Sequence, residues 1–318
     1  MPQWRKYLPQ YGEPPVAGFQ ETGPCQFTVH THCGARICRS MMRELELLYL
    51  YSLARDAFHD IGQIVDLGPY TGMSTFALAS GVLASHPQPN ARIWSYDLFL
   101  SYDWFASEEF SERTGSVFPQ FQSTLNDFSA LIMPCPGDAL SLRWLKQPVE
   151  ILFVDLAKSW ELNAWVLSQF FPCLVPGRSW VVQQDFIHFN EYWVQITMEY
   201  FADRFEFDEA VFGASAGFRS VATISESEAR VSLEELPLSR KMALLESARM
   251  RMPPSVRPVM ECAMAKCLLD CGEIRLAEDL IRDIDTRQLA TDPALDFHEI
   301  AMSNQRAVAG LIAACRQT

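Results

Sequence analysis

An apolar run that leads through two glycines into a helical pattern constrains this chain more than any other feature. Residues 64–67 read Ile-Val-Asp-Leu, Gly68 and Gly72 follow, and a segment rich in apolar residues comes next. A buried strand, a glycine turn and a helix N-terminus form a ligand site at the carboxyl edge of an open α/β sheet. The glycines allow a sharp turn beside a nucleotide-like ligand, and we expect Ser74 and Thr75 to satisfy N–H groups where the helix begins.

The glycine spacing distinguishes this turn from two common phosphate-binding loops. It is Asp66-x-Gly68-x-x-x-Gly72, neither the Gly-x-Gly-x-x-Gly of dinucleotide-binding folds nor a P-loop. The residues from Asp66 to Ser74 resemble motif I of class I S-adenosylmethionine-dependent methyltransferases, in the form of the catechol and caffeoyl-CoA O-methyltransferase branch. The two glycines by themselves also fit an ordinary strand-to-helix turn without a ligand, so this alternative stays open. The resemblance implies cofactor contacts from Asp66, Gly68, Tyr70, Thr71, Gly72 and Ser74.

Two further acidic residues follow predicted strands. Asp97 ends the strand predicted over 91–97, where a carboxylate can accept both ribose hydroxyls of a nucleoside. A solvent-facing aspartate is the alternative there. A Gly-Asp-Ala segment follows the third strand, and in class I methyltransferases a segment of this kind lies beside the adenine. The resemblance therefore implies that Asp138 contacts the adenine.

The fourth and fifth predicted strands also end on carboxylates. A buried strand from Val149 ends on Asp155, and Lys158 follows three positions later. This arrangement resembles the strand-four motif of metal-dependent O-methyltransferases, in which the aspartate binds a divalent metal such as Mg²⁺ and the lysine is the general base. Asp185, at the end of the fifth strand, matches that family's second metal aspartate.

The match to the metal-dependent family is incomplete. That family has an asparagine after its second aspartate, whereas this chain has Phe186. Two carboxylates can still bind a hard cation through water, Gln184 or His188, but more weakly. Related sugar and small-molecule O-methyltransferases have a histidine where Lys158 stands, so Lys158 and His188 are alternative metal-free bases. Each residue also has a structural alternative. Lys158 would form an ion pair with a neighbouring aspartate, and His188 would be an ordinary surface or core histidine.

The alternation of strands and helices predicts the fold class. Residues 40–224 are expected to form an α/β domain: a Rossmann-like, seven-stranded, mostly parallel sheet with helices on both faces and a closing antiparallel hairpin. Its first helix is predicted to start at Ser40. We expect residues 1–39 to form an N-terminal arm, irregular over 1–24, and residues 225–318 to form a C-terminal all-α appendage. We expect this appendage to serve as a cap or to form a homodimer.

Three cysteine-rich or aromatic segments have open interpretations. The segment 25–38 holds three cysteines and two histidines, which favour either buried thiols or, less well matched in spacing, a zinc site. Residues 98–130 contain eight aromatic residues without a clean helix or strand period, and we expect them to form either a wall of the substrate site or an aromatic satellite core. In the C-terminal helices we expect core thiols at Cys262, Cys267 and Cys271.

Composition limits the classes of protein and ligand. The chain has 318 residues, 49% hydrophobic residues and nine cysteines, and no leader-like apolar segment follows Met1, so we expect a cytoplasmic protein with reduced thiols. Of the formal charge of −13, residues 61–224 carry 18 acidic and 8 basic groups. This acidic field disfavours nucleic acid and favours a sulfonium or a divalent metal.

These observations lead to one functional hypothesis and two alternatives. The resemblance implies an S-adenosylmethionine-dependent O-methyltransferase that methylates a small hydroxylated molecule, a sugar or a natural-product intermediate. A degenerate methyltransferase domain that binds the cofactor or a partner without methylating is the first alternative. A dinucleotide or nucleotide-sugar enzyme is the second, although its glycine spacing would differ.

Overall fold

The computed structural model describes residues 18–23, 25–31, 34–100, 115–210, 214–284 and 297–316. These residues form two sheets. The smaller sheet is antiparallel and contains β1 Phe19–Gly23, β2 Gln26–Thr31 and β3 Gly34–Arg39. The larger sheet contains β4 Gln63–Leu67, β5 Ile93–Asp97, β6 Ile132–Pro136, β7 Val149–Val154, β8 Trp180–Gln183, β9 Phe205–Ala210 and β10 Ala216–Ser220.

The large sheet has the predicted architecture. Its strand order is β6-β5-β4-β7-β8-β10-β9. Strands β4 to β8 pair in parallel, and β10 pairs antiparallel with both β8 and β9. The Rossmann-like seven-stranded sheet with a terminal antiparallel pair is therefore confirmed. Because the chain runs outward from β4 to β6 and then returns to β7, the switch point for ligand binding lies at the carboxyl ends of β4 and β7.

Helices cover both faces of the sheet. Residues alternate between the faces along each strand: Ile64 joins the core formed with α1 and α2, whereas Val65 and Leu67 join the core formed with α4 and α5. The helices are α1 Glu44–Asp56, α2 Met73–Ser85, α3 Phe118–Thr124, α4 Trp160–Phe170, α5 Tyr192–Tyr200, α6 Leu238–Arg251, α7 Arg257–Asp270, α8 Ile274–Asp283 and α9 Phe297–Cys315. Of the described helices, none is long and apolar enough to cross a membrane.

The first helix begins later than predicted. Its N-cap is Arg43 instead of Ser40, and the Glu46 side chain accepts a hydrogen bond from the Arg43 backbone N–H at 3.0 Å. The Ser40 hydroxyl instead accepts from the Met42 N–H at 3.1 Å. Ser40 therefore ends the preceding turn, because the glutamate inside the helix is a better-placed acceptor for the first free N–H group.

The N-terminal segment packs on the main domain. Residues 19–23, which were expected to be irregular, form an edge strand, and Phe19, Phe27 and Val29 are fully buried. The Phe19 ring contacts Phe76 of α2 edge-on, with 6.3 Å between ring centroids. The small sheet therefore covers the helical layer that carries the glycine turn.

The C-terminal helices pack on α5 as a cap. Arg251 of α6 donates two hydrogen bonds to Glu199 of α5, at 2.7 and 3.1 Å, and Ser247 donates a third at 2.7 Å. Helices α7 and α8 form a helical hairpin, joined through Gly272 at φ 81°. Apolar residues of α6 and α7 belong to the same core cluster as strands β7 and β8.

Two of the three predicted core thiols in the hairpin are buried. Burial raises the pKa of Cys262 and of Cys267 to about 12. Cys271 is exposed, contrary to expectation, because it lies at the C-cap of α7 where the chain turns. In the segment 25–38, Cys38 is buried with its Sγ 3.7 Å from Thr124 Oγ1, whereas Cys25 is exposed. His32 and Cys33 lie outside the described residues.

Candidate functional site

The glycine turn is pressed against the end of β7. Gly68 and Gly72 have φ angles of 89° and 97°, and Tyr70 between them has 49°, so the turn uses the left-handed region three times. A Cβ placed on Gly68 would lie 2.6 Å from the Asp155 carbonyl oxygen. The Asp155 N–H donates to the Leu67 carbonyl at 2.7 Å. The end of β4 and the end of β7 therefore form one continuous rim.

Asp66 lies beneath this turn and is fully buried. Its Oδ2 accepts hydrogen bonds from Ser74 at 2.9 Å and Thr75 at 2.5 Å. Its Oδ1 accepts none from the described residues. Burial, with a smaller contribution from the charge of Asp97, raises the Asp66 pKa to about 7. Asp66 is therefore a buried acceptor with one oxygen still unused.

The start of α2 differs from the prediction. Its N-cap is Gly72, and no side chain caps the helix. We expected Ser74 and Thr75 to bind the first N–H groups, but their hydroxyls donate to Asp66 instead. The buried carboxylate requires donors more strongly than the helix start does, because burying an unpaired charge costs more than leaving N–H groups at an open rim.

Thr71 points away from the rim. It is 3% exposed and its hydroxyl donates to the Arg39 carbonyl at 2.5 Å, which fastens the turn to the end of β3. The Tyr70 N–H, in contrast, donates to Asp97 Oδ2 at 2.8 Å. Of these two predicted cofactor residues, the structure brings the Tyr70 backbone, but not the Thr71 hydroxyl, to the neighbouring strand end.

Asp97 and Asp138 lie beside the turn on the same edge of the sheet. Asp97 ends β5, is 8% exposed, and also accepts from the Phe99 N–H at 2.6 Å. Its burial raises its pKa. The Gly137 N–H donates to the Asp97 carbonyl at 2.9 Å and thereby places the next residue, Asp138, close to the end of β5. Asp138 is exposed, and its Oδ1 accepts from the Leu140 N–H at 3.0 Å.

The strand order, the terminal antiparallel pair and a glycine turn at the switch point decide the fold. This is the fold that the resemblance to class I methyltransferases implies.

The strand ends on the other side of the switch point hold an ion-pair cluster. Lys158 Nζ lies 2.7 Å from Asp155 Oδ1 and also donates to Asp185 Oδ2. Gln184 Oε1 lies 3.5 Å away. Asp185 follows the last residue of β8 by two positions and has φ 62°. The structure therefore brings together all three residues that the sequence assigned to this edge.

Lys158 is a charged group here. Desolvation alone would lower its pKa, but Asp155 and Asp185 outweigh desolvation and hold the pKa above its ordinary value. A general base must have a pKa near the working pH. The two ion pairs of Lys158 therefore favour the structural alternative, in which the lysine is the counter-ion of Asp155 and Asp185. Desolvation raises the pKa of Asp155, and the charge of Asp185 adds to that rise.

His188 forms a second pair close to this cluster. Its Nδ1 lies 2.5 Å from Glu191 Oε2, and its side chain is 40% exposed. Desolvation lowers the His188 pKa, but the hydrogen bond that His188 donates to Glu191, together with the charge of Glu191, dominates and raises the pKa above its ordinary value. A carboxylate that accepts from Nδ1–H leaves Nε2 as the proton acceptor. Sequence analysis missed Glu191, although the His-x-x-Glu spacing in a turn was readable.

Glu46 of α1 is a further residue that sequence analysis missed. Its side chain accepts from Ser215 Oγ at 2.6 Å and from the Ala214 N–H at 3.1 Å. Burial raises its pKa to about 7, and the charge of Asp185 contributes to that rise. A glutamate within the apolar run of α1 was the available signal. Glu46 fixes the segment before β10 beside the acidic cluster.

The donor set fits a divalent metal poorly. Phe186, at the position of the family's third ligand, is fully buried with its ring centroid 5.2 Å from that of Phe218, and it offers no oxygen. The ammonium of Lys158 lies between the two predicted metal ligands, Asp155 and Asp185. The described residues contain no cluster of three or more His, Cys, Asp or Glu side chains arranged for a metal ion.

The described part of the aromatic segment forms a satellite core. The ring of Phe99 lies 4.9 Å from that of Phe118 and 4.8 Å from that of Phe121, between centroids. Phe121 packs under Gly72, where an added Cβ would lie 3.1 Å from its ring. The other aromatic residues that supported a substrate wall lie outside the described residues: Tyr102, Trp104, Phe105 and Phe110.

No protein-family model matches this chain, and neither does any curated protein. Solved structures with similarity include the O-methyltransferase NovP (15% identity, TM-score 0.46, covering 57% of this chain and 82% of that one). The calicheamicin methyltransferase CalS11 shows 18% identity and a TM-score of 0.40 over 55% and 77% of the two chains. A methyltransferase from Geobacter sulfurreducens shows 15% identity and a TM-score of 0.37 over 57% and 80%.

Proposed function

We propose that this protein is an S-adenosylmethionine-dependent O-methyltransferase that methylates a hydroxyl group of a small molecule, a sugar or a natural-product intermediate. One observation carries the proposal. The glycine turn at the switch point adjoins a buried carboxylate, Asp66, with an unused oxygen, and two further carboxylates, Asp97 and Asp138, follow on the same edge.

These residues fit the cofactor in chemical character. The unused Oδ1 of Asp66 is an acceptor suited to the cofactor's ammonium group. Asp97 retains lone pairs for ribose hydroxyls beyond the two backbone bonds it accepts. Asp138 is exposed at the end of β6 and is assigned to the adenine. S-adenosylmethionine, when bound, supplies an electrophilic methyl group on a positively charged sulfur.

The acceptor side has the groups that methyl transfer to oxygen requires. Alignment of the acceptor oxygen and removal of its proton are the main tasks of the protein. We assign His188 as general base through Nε2, because Glu191 holds Nδ1 and raises the pKa. We assign Lys158 to hold the acceptor oxygen, since its ammonium donates at the mouth of the site and its side chain is 46% exposed.

A domain that binds the cofactor without methylating is the second candidate. On the acceptor side, Lys158 is paired with Asp155 and Asp185, and His188 is paired with Glu191, so both predicted bases already have structural partners. Side chains that are already paired in this way also fit a domain that binds the cofactor but does not catalyse methyl transfer.

The experiment that separates these functions measures S-adenosylhomocysteine and methylated product by mass spectrometry. The purified protein is incubated with S-adenosylmethionine and a panel of nucleotide sugars, glycosides and phenols. Formation of both products in equal amounts, abolished in His188→Ala, supports the enzyme. Cofactor binding with no product on any hydroxylated acceptor supports the binding domain.

A further inference from the structure

The cluster at the ends of β7 and β8 is arranged around one cation. Asp155 and Asp185 come from neighbouring parallel strands, and their side chains are 18% and 17% exposed. Lys158 donates to one oxygen of each, and its third contact, with Gln184 Oε1, is long at 3.5 Å. Two carboxylates this close repel each other unless a cation lies between them. The cation here belongs to the chain itself.

A divalent ion would have to displace this ammonium. Mg²⁺ and Mn²⁺ prefer several oxygen ligands, and the two carboxylates and the Gln184 amide would supply them. Lys158, however, forms two charge-assisted hydrogen bonds in the same space. Phe186 is buried and closes the position from which a further ligand would come. The site is therefore complete without a metal ion.

We propose that the Lys158 ammonium replaces the divalent cation at this edge of the sheet. Its third N–H, which makes only the long contact with Gln184 Oε1, is then the positive group that faces the acceptor oxygen. The second half of this proposal rests on the proposed function, whereas the first half does not. Removal of the ammonium converts the site into a divalent-cation site, because it leaves the oxygen ligands without their counter-charge.

The test is a Mn²⁺ titration monitored by calorimetry and by electron paramagnetic resonance of free Mn²⁺. Wild type and Lys158→Arg, which keeps the positive charge, are expected to show no saturable binding. Lys158→Ala is expected to bind one Mn²⁺ per chain. Lys158→Ala combined with Asp185→Asn is expected to lose that binding, which locates the ion between the two carboxylates.

Thermal unfolding provides a second readout on the same proteins. Mn²⁺ at about tenfold above its Kd should raise the Tm of Lys158→Ala by about 2–5 °C and leave wild type unchanged. Lys158→Ser serves in place of Lys158→Ala if the alanine variant does not fold. Saturable Mn²⁺ binding to wild type that Asp155→Asn removes, or failure of both folded neutral variants to bind, overturns the proposal.

Metal binding is measured without substrate, so its outcome is independent of whether the protein methylates anything. If methylation is observed, chelation with EDTA should leave wild-type turnover unchanged. A loss of turnover on chelation that Mg²⁺ restores would overturn the role of Lys158 while leaving the methyltransferase assignment intact.

Discussion

Gly68 packs so closely on Asp155 that a methyl group on Gly68 would lie 2.6 Å from the Asp155 carbonyl oxygen and 2.9 Å from its carbon. Gly68 in the glycine turn and Asp155 at the end of β7 are 87 positions apart in the chain, and this backbone contact fixes them to each other. The turn assigned to the cofactor and the cluster assigned to the acceptor share this contact. It sets their relative position without any side chain.

Gly68→Ala should therefore destabilise the protein strongly. The variant combines left-handed strain with a clash against backbone that cannot move aside, and we expect a loss of about 2–5 kcal/mol in the free energy of unfolding. Gly177→Ala is the matched control, since Gly177 has φ 74° but open space around the added Cβ. It should lose only about 1–2 kcal/mol. If urea unfolding shows the same loss of unfolding free energy in both variants, the close contact between Gly68 and Asp155 does not contribute to the destabilisation.

Asp66 should make stability depend on pH. Its pKa is near 3.8 when unfolded and about 7 in the native state, so the native state holds a proton that the unfolded state releases between these values. Stability from this group is therefore full below pH 3.8 and is lost as pH rises towards 7. Asp66→Asn removes this loss, so the variant should gain about 1.4 kcal/mol per pH unit relative to wild type from pH 5 to 6.5. If the unfolding free energies of wild type and Asp66→Asn, measured by urea unfolding, changed with pH in parallel, the raised pKa of Asp66 would be contradicted.

The His188–Glu191 pair predicts the acid limb of a pH–rate profile. Because Glu191 raises the His188 pKa above 6.5, kcat/KM should fall as pH drops through a value above 6.5, where Nε2 becomes protonated. Glu191→Gln should move this limb to lower pH, because the variant removes the negative charge that raises the His188 pKa. Glu161→Gln, on the exposed first turn of α4, should not move it. An unshifted limb in Glu191→Gln would remove His188 as the base.

The Arg251–Glu199 pair predicts that the helical cap unfolds together with the sheet. Glu199 is 2% exposed, so Arg251→Met leaves a buried carboxylate unpaired and should cost about 2–4 kcal/mol. Adding Glu199→Gln should recover much of this loss. Arg316→Met, which breaks an exposed pair with Glu278, should cost less than about 1 kcal/mol. Two separate thermal transitions in wild type, by calorimetry, would contradict a shared core.

The order of elements was predictable because buried strands and amphipathic helices leave strong patterns. The six residues of β7 are all buried, and the apolar residues 151–154 were readable as a buried strand. The start of α1 was not predictable from Ser40, because the cap uses Glu46, a residue inside the helix. Local sequence does not reveal which of two acceptors a backbone N–H will reach.

Contacts between the loops that follow the strands explain the remaining differences at the site. The sequence identified Asp155, Lys158 and Asp185 individually, but whether the lysine is a base or a counter-ion depends on where the loops after β7 and β8 place the three side chains. Glu191 and Glu46 were missed because their roles arise from tertiary contacts with His188 and with the segment before β10. The spacing of apolar residues predicts which face of one helix or strand is buried, but it does not predict contacts between different elements.

Isothermal titration with S-adenosylhomocysteine and S-adenosylmethionine tests the central claim most directly. We expect saturable binding of one ligand per chain, weakened about tenfold in Asp97→Ala through the loss of a ribose acceptor. NAD in the same cell should give no binding. Folded wild-type protein that binds neither S-adenosylmethionine nor S-adenosylhomocysteine would contradict the account.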